Sequence, residues 1–118
     1  LMSKAKAKGT SAETAVVKFL IDNGFPYAER RALNGALDLG DITGTPALAW
    51  EVKNHKTYKI PAWLKETELE TKNAKADFGV LVVKPNGVGT ANTANWWAIM
   101  SLEQITNLLR EAGYGTRR

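Results

Sequence analysis

The chain has 118 residues, 44% hydrophobic and 24% charged, the balance of one globular domain rather than of a disordered or fibrous chain. A formal charge of +4 and a pI of about 9.4 favour a polyanionic partner such as nucleic acid. Without cysteine there are no disulfides, no thiol catalysis and no Cys-based zinc site, and no apolar run reaches the roughly 20 residues of a membrane-spanning helix. No signal peptide is visible and Leu1 ahead of Met2 reads as a cloning remnant, so the expected location is the cytoplasm, with no membrane partner.

Residues 1–9 read as a basic N-terminal arm. Lys4, Lys6 and Lys8 alternate with Ala and stop at Gly9, which suits either phosphate contacts or plain solvation. A helix is expected from Ser11 to Asn23, closed by Gly24, because Ala12, Ala15, Val16, Phe19 and Leu20 recur at helical spacing. On that helix Glu13 projects on the apolar side, between Val16 and Val17. It either closes a capping box over Thr10-Ser11-Ala12-Glu13 or points a carboxylate inward. Phe25 to Leu33 reads as a first strand with Pro26 at its start, and adjacent Arg30 and Arg31 then point to opposite faces. Asn34-Gly35 is a turn.

The stretch from Asp38 to Lys53 reads as a hairpin. Leu39 and Ile42 precede the turn residues Thr43-Gly44-Thr45-Pro46, and Leu48, Trp50 and Val52 alternate after them. A turn centred between Gly44 and Thr45 sets Asp38 directly opposite Glu51, at the roughly 4.5–5.5 Å of an opposed Cβ pair. Glu51 and Lys53 leave their strand on the same face. Two carboxylates that close repel each other and call for a cation. Asp41 is the second candidate: its parity is wrong for a regular strand, but a bulge near Gly40 would turn it inward.

After a polar, basic segment holding the only histidine, His55, a helix is expected from Pro61 to about Ala76. Trp63, Glu66 and Glu70 share one of its faces, where the carboxylates would be solvated, touch the site or meet a partner subunit. Phe78 to Lys84 is a short apolar run, expected as a strand covered on both sides. A polar loop from Pro85 to Asn95 follows, then a strand from Trp96 to Met100. Ser101-Leu102-Glu103-Gln104 caps a final amphipathic helix that Gly113 stops, leaving 114–118 as a loose basic end. The order α-β-β-β-α-β-β-α implies an α/β fold, a mixed β-sheet flanked by helices, in a single domain over 1–118.

With an acidic residue on the first helix, an Asp on one hairpin strand and Glu-Val-Lys on the next, the chain resembles the PD-(D/E)XK nuclease superfamily. More closely it resembles archaeal-type Holliday junction resolvases, through Lys8-Gly9-Thr10-Ser11-Ala12-Glu13, Gly24-Phe25, Arg30, Asp38-Leu39 and Glu51-Val52-Lys53. Its size and the short Gly40-Asp41-Ile42-Thr43-Gly44 segment are similar to small phage-encoded members, which would put it in the host cytoplasm. The match covers the first half of the chain.

The resemblance implies a restriction-endonuclease-like sheet and a Mg²⁺-dependent endodeoxyribonuclease, Mn²⁺ substituting. Asp38 and Glu51 would hold the ion, with the Val52 backbone carbonyl as a third ligand and Glu13 holding a water or a second ion. Lys53, its pKa lowered beside the metal, would orient or deprotonate the attacking water or stabilise developing charge. Hydrolysis would leave a 5′-phosphate and a 3′-hydroxyl. Lys4, Lys6, Lys8, Arg30 and Arg31 would grip the DNA backbone without reading bases. Symmetric cutting of a four-way junction needs a homodimer, to which Trp63, Trp96 or Trp97 could contribute if not all serve the core. The alternatives are a nicking, repair or single-strand nuclease of the same fold, and a non-catalytic DNA-binding module.

Overall fold

The computed structural model describes residues 3–32 and 35–116. They form α1 (Lys4–Asp22), β1 (Glu29–Arg30), β2 (Ile42–Thr43), β3 (Leu48–Lys53), α2 (Ile60–Asn73), β4 (Phe78–Val83), β5 (Trp97–Ile99) and α3 (Leu102–Glu111), with a 3-10 stretch at Thr90–Asn95. β3 and β4 are parallel, Leu48 beside Phe78 and Lys53 beside Val83, joined through α2. β5 returns antiparallel along the other edge of β4, giving a mixed sheet in the order β3-β4-β5. β1 and β2 make a separate two-stranded ribbon. The architecture is α/β.

β4 is the centre of the molecule because both its faces are covered. Val80 and Val82 join Ala12, Val16 and Leu20 of α1, Val52 of β3 and Trp96 in one core cluster. Leu81 and Val83, pointing the other way, pack with Trp63 of α2 in a second cluster. An unbroken apolar run is what a strand sandwiched between two helices requires. The same alternation sorts β3: Val52 faces the α1 side, whereas Glu51 and Lys53 leave towards α2. Of the three tryptophans considered for an interface, Trp63 and Trp96 are buried and Trp97 is 45% exposed.

Several boundaries differ from the sequence reading. The basic arm is helical from Lys4 onward: Ser3 Oγ accepts the Lys6 amide at 3.1 Å, and Ala and Lys are good helix formers. Leu1 and Met2 of that arm lie outside the described residues. Glu13 is therefore mid-helix and closes no capping box. Gly24 does end α1, with φ at +105° and the Phe25 amide returning to the Leu20 carbonyl at 2.9 Å. The first strand shrinks to Glu29–Arg30 because a turn at Pro26–Tyr27 brings the Ala28 amide to the Phe25 carbonyl. Leu33, its expected end, and Asn34 of the expected turn are outside the described residues, as are Arg117 and Arg118. α2 stops at Asn73, three residues before the expected Ala76: Lys75 turns to φ +52° and the Ala76 amide bonds the Thr71 carbonyl.

Candidate active site

The hairpin register is the main correction. Symmetry about Gly44–Thr45 would oppose Asp38 and Glu51, but the Asp41 amide donates to the Trp50 carbonyl at 2.7 Å, and Asp41 is thus the residue drawn against β3. Asp41 Oδ2 in turn accepts the Val52 amide at 2.8 Å. Gly40 makes this approach possible. Its φ is +98°, and a Cβ there would lie 2.8 Å from the Trp50 carbonyl oxygen. Asp38, just upstream, leaves the pairing: its Oδ1 accepts the Gly40 amide at 3.1 Å and its carbonyl accepts Asn73 Nδ2 at 3.0 Å.

A cavity of about 380 Å³ gathers residues from three separated segments: Lys8 and Glu13 of α1, Asp41 before β2, and Glu51, Lys53 and His55 on and after β3. Asp38 is not among its lining residues. Glu51 is only 3% exposed, and its Oε2 meets Lys53 Nζ at 3.0 Å while its Oε1 is buried with no hydrogen-bond partner. Burial first, then the adjoining Glu66 and Asp41 carboxyls, push Glu51 up to about 11. Asp41 is also raised, chiefly by burial, although the proton on Glu51 and the Val52 amide both favour its charged form. Burial beside other carboxyls thus favours the protonated form of Glu51.

Lys53 is held by two carboxylates. Lys53 Nζ sits between Glu51 at 3.0 Å and Glu66 Oε1 at 2.9 Å, and 5.9 Å from the centroid of the Trp63 ring. Burial pulls its pKa down, but the bonds to Glu66 and Glu51 outweigh that and hold it above the usual lysine range. Its two carboxylate partners thus favour the charged form of Lys53. Glu66 is its main partner and is held below its ordinary value: burial opposes this, and bonds from Glu51 and Lys53 win.

Glu13 lines the cavity from α1 and is raised by burial and by the Asp41 charge, against the Arg30 bond. Arg30 Nε donates to Glu13 Oε1 at 3.0 Å, which makes Arg30 a positioning group as well as a surface cation. Arg31 sits apart from it; its amide donates to the Asp41 carbonyl, while its Nε is buried without a partner. Lys4, Lys6 and Lys8 are all exposed on α1, and Lys8 reaches the cavity rim. His55 is exposed, 5.2 Å from the Trp63 ring, and shifted downward by burial and then by Lys53 and Lys8.

Two residues left out of the sequence-based site adjoin it, Glu66 through Lys53 and Glu70 in a cavity that Glu51 also lines. Trp63, Thr67 and Glu70 form the buried face of α2, and Glu66 lies beside them, so the carboxylates at 66 and 70 face β3. The signal was present in the spacing: two carboxylates on the stripe that begins with a core tryptophan are not on the wet face.

The donor set suits a hard cation. Asp41 and Glu51 supply carboxylate oxygens, one of them buried and unpartnered. The carbonyls of Ala47 and Lys53 accept bonds from the β4 side, so strand alternation turns the Val52 carbonyl towards Asp41, where the Trp50 carbonyl already points. Oxygen ligands of this kind are what Mg²⁺ and Mn²⁺ take. No protein-family model matches the chain, and neither does any curated protein or solved structure.

Proposed function

We propose that this chain is a metal-dependent DNA endonuclease of the PD-(D/E)XK type, acting on branched DNA such as a four-way junction. One observation carries the reading: Glu13, Asp41, Glu51 and Lys53, distant in sequence, line a single cavity whose rim bears Lys8. A buried carboxyl pair is costly, and a site for a cation gives it a purpose.

Asp41, Glu51 and the Val52 carbonyl would hold Mg²⁺ or Mn²⁺, which when bound makes water more acidic and draws charge from the phosphoryl oxygens. Lys53, kept positive by Glu66, offers a fixed charge to the phosphate and a donor that orients the attacking water. Glu13, steadied by Arg30, accepts a hydrogen bond from that water. In-line attack at phosphorus forms the new P–O bond as the bond to the 3′ oxygen breaks; the attacking water gives up its proton to Glu13, which passes it to solvent, and the departing alkoxide takes a proton from solvent. Lys4 and Lys8 hold the backbone without reading sequence.

Paired cutting of a junction requires two copies of the chain. Exposed Trp97 on the edge strand β5, with Leu102 and Leu109 on α3, is apolar surface suited to that contact.

The test is cleavage of a labelled four-way junction with Mg²⁺ by the wild type, Asp41→Asn and Glu51→Gln. Paired nicks that both variants lose while still binding DNA are the expected result. Cutting of flaps or duplex but not junctions would keep the chemistry and remove the resolvase assignment. Binding with no cutting of any substrate would leave a DNA-binding module.

A further inference from the structure

Beyond the Asp41 side of Glu51 lies a second cavity, of about 540 Å³, lined by Asp38, Asp41, Glu51, Glu66 and Glu70, with Arg31 also on its wall. We propose that Asp38, Glu66 and Glu70 form a second divalent-cation site there, next to the Asp41–Glu51 pair. The inference rests on the nuclease reading only in taking Glu51 as a ligand of the first ion.

Three features carry it. One carboxylate oxygen from each of Asp38, Glu66 and Glu70 lies within 4.8 Å of the others. Oxygens bound to one ion at about 2.1–2.4 Å stand at most roughly 4.2–4.8 Å apart, so this is the span of a single coordination sphere. The second feature concerns the cost of the arrangement. Glu70 is 1% exposed, and neither of its oxygens has a hydrogen-bond partner. Glu51, which lines the same cavity from the neighbouring strand, likewise has a buried and unpartnered Oε1. A native interior rarely leaves three carboxylate oxygens of two side chains unsatisfied without an ion or water between them.

The third feature is how the site is built. Glu66 and Glu70 are one turn apart on the side of α2 that faces β3, and Lys53 already occupies Glu66 Oε1. Asp38 is brought to them by a fixed loop: Asn73 of α2 binds its carbonyl and the Gly40 amide binds its side chain. The charges that bear most on Glu70 come from Asp38 and Glu66, both acidic. An all-oxygen, strongly negative set selects a hard ion, Mg²⁺ or Mn²⁺, and the cavity has room for the waters that complete its shell.

Mn²⁺ titration, following free aquo-Mn²⁺ by electron paramagnetic resonance, tests this without reference to cleavage. The wild type should bind two ions per chain. Glu70→Gln should bind one, with the second at least about tenfold weaker, and Asp41→Asn should lose the other one. The pair of substitutions together should bind none. Asp38→Asn, at an exposed position, gives the same readout as Glu70→Gln if burial makes the latter fold poorly. A single ion, kept in Glu70→Gln and Asp38→Asn but lost in Asp41→Asn, would overturn the second site and leave the nuclease reading intact. Two ions that persist in both of those variants would overturn it as well. No binding by the wild type would overturn both.

Discussion

Burial and the neighbouring Asp38 carboxyl push Glu70 up to about 9, far above the ordinary 4.5 of a glutamate. Below about pH 4.5 the folded and unfolded chains both hold this proton, and its contribution to stability is complete. As pH rises towards 9 the unfolded chain releases a proton that the native chain keeps, so stability falls across that window. The wild type in chelator should therefore melt progressively lower between pH 5 and pH 9. Glu70→Gln has no proton to lose. It should flatten the profile and gain about 1 kcal/mol at pH 8, roughly 3–6 °C in Tm for a chain of this size. Melts no higher than wild type at pH 8 would show that Glu70 is not strained in this way. Lys53 is the opposite case: removing it takes the cation from between Glu51 and Glu66. Lys53→Met should cost on the order of 2–3 kcal/mol in urea unfolding at pH 8, somewhat less than the roughly 3–5 kcal/mol of a fully buried pair. The loss should shrink in acid, as Glu66 takes up a proton.

At the scale of elements, what could be read from the chain was whatever local chemistry decides. The apolar run of β4, the amphipathic stripe of α3 with its Ser101 cap, and the glycine stops at Gly24 and Gly113 needed no tertiary information. The approach of β2 to β3 did. It is fixed by one amide of Asp41 against Trp50, and by a glycine that lets two backbones meet, which symmetry counting cannot foresee. That is why Asp38 looked like the partner of Glu51 and Asp41 is. Glu66 and Glu70 were half legible: their spacing puts them on the stripe of Trp63, and the docking of α2 on the sheet then makes that stripe the dry one. That docking has a sharp requirement. A Cβ at Gly79 on β4 would fall 1.7 Å from Thr71 Oγ1, whose hydroxyl donates to the Thr67 carbonyl at 2.6 Å. Gly79→Ala should destabilise by about 2–4 kcal/mol. Adding Thr71→Ala should recover part of it, the Thr71 Cβ remaining close at 3.0 Å. A double-mutant cycle in denaturant measures the coupling, and simple additivity would mean that helix and strand are not in contact there.

The whole molecule is basic, at +4, yet Asp38, Asp41, Glu51, Glu66 and Glu70 line one cavity, so the positive charge must act from elsewhere. α1 supplies it in a directional way. Because Lys4 to Lys8 is helical, Lys4 and Lys8 stand one above the other, on the stripe that carries Ala5, Lys8 and Gly9 to the cavity. Lys6, two residues from each, points about 160° away. A flexible arm would use all three lysines alike; a helix cannot. On duplex DNA each phosphate contact contributes about 0.9 to the slope of log K against log salt. Lys4→Gln with Lys8→Gln should reduce that slope by about 2, whereas Lys6→Gln should leave it unchanged. Fluorescence anisotropy of a labelled junction, read from 50 to 200 mM salt in the presence of Ca²⁺, separates the cases. An equal loss from each of the three lysines would mean that DNA does not approach along this stripe, and would move the nucleic-acid face away from the Glu13–Asp41–Glu51 cavity.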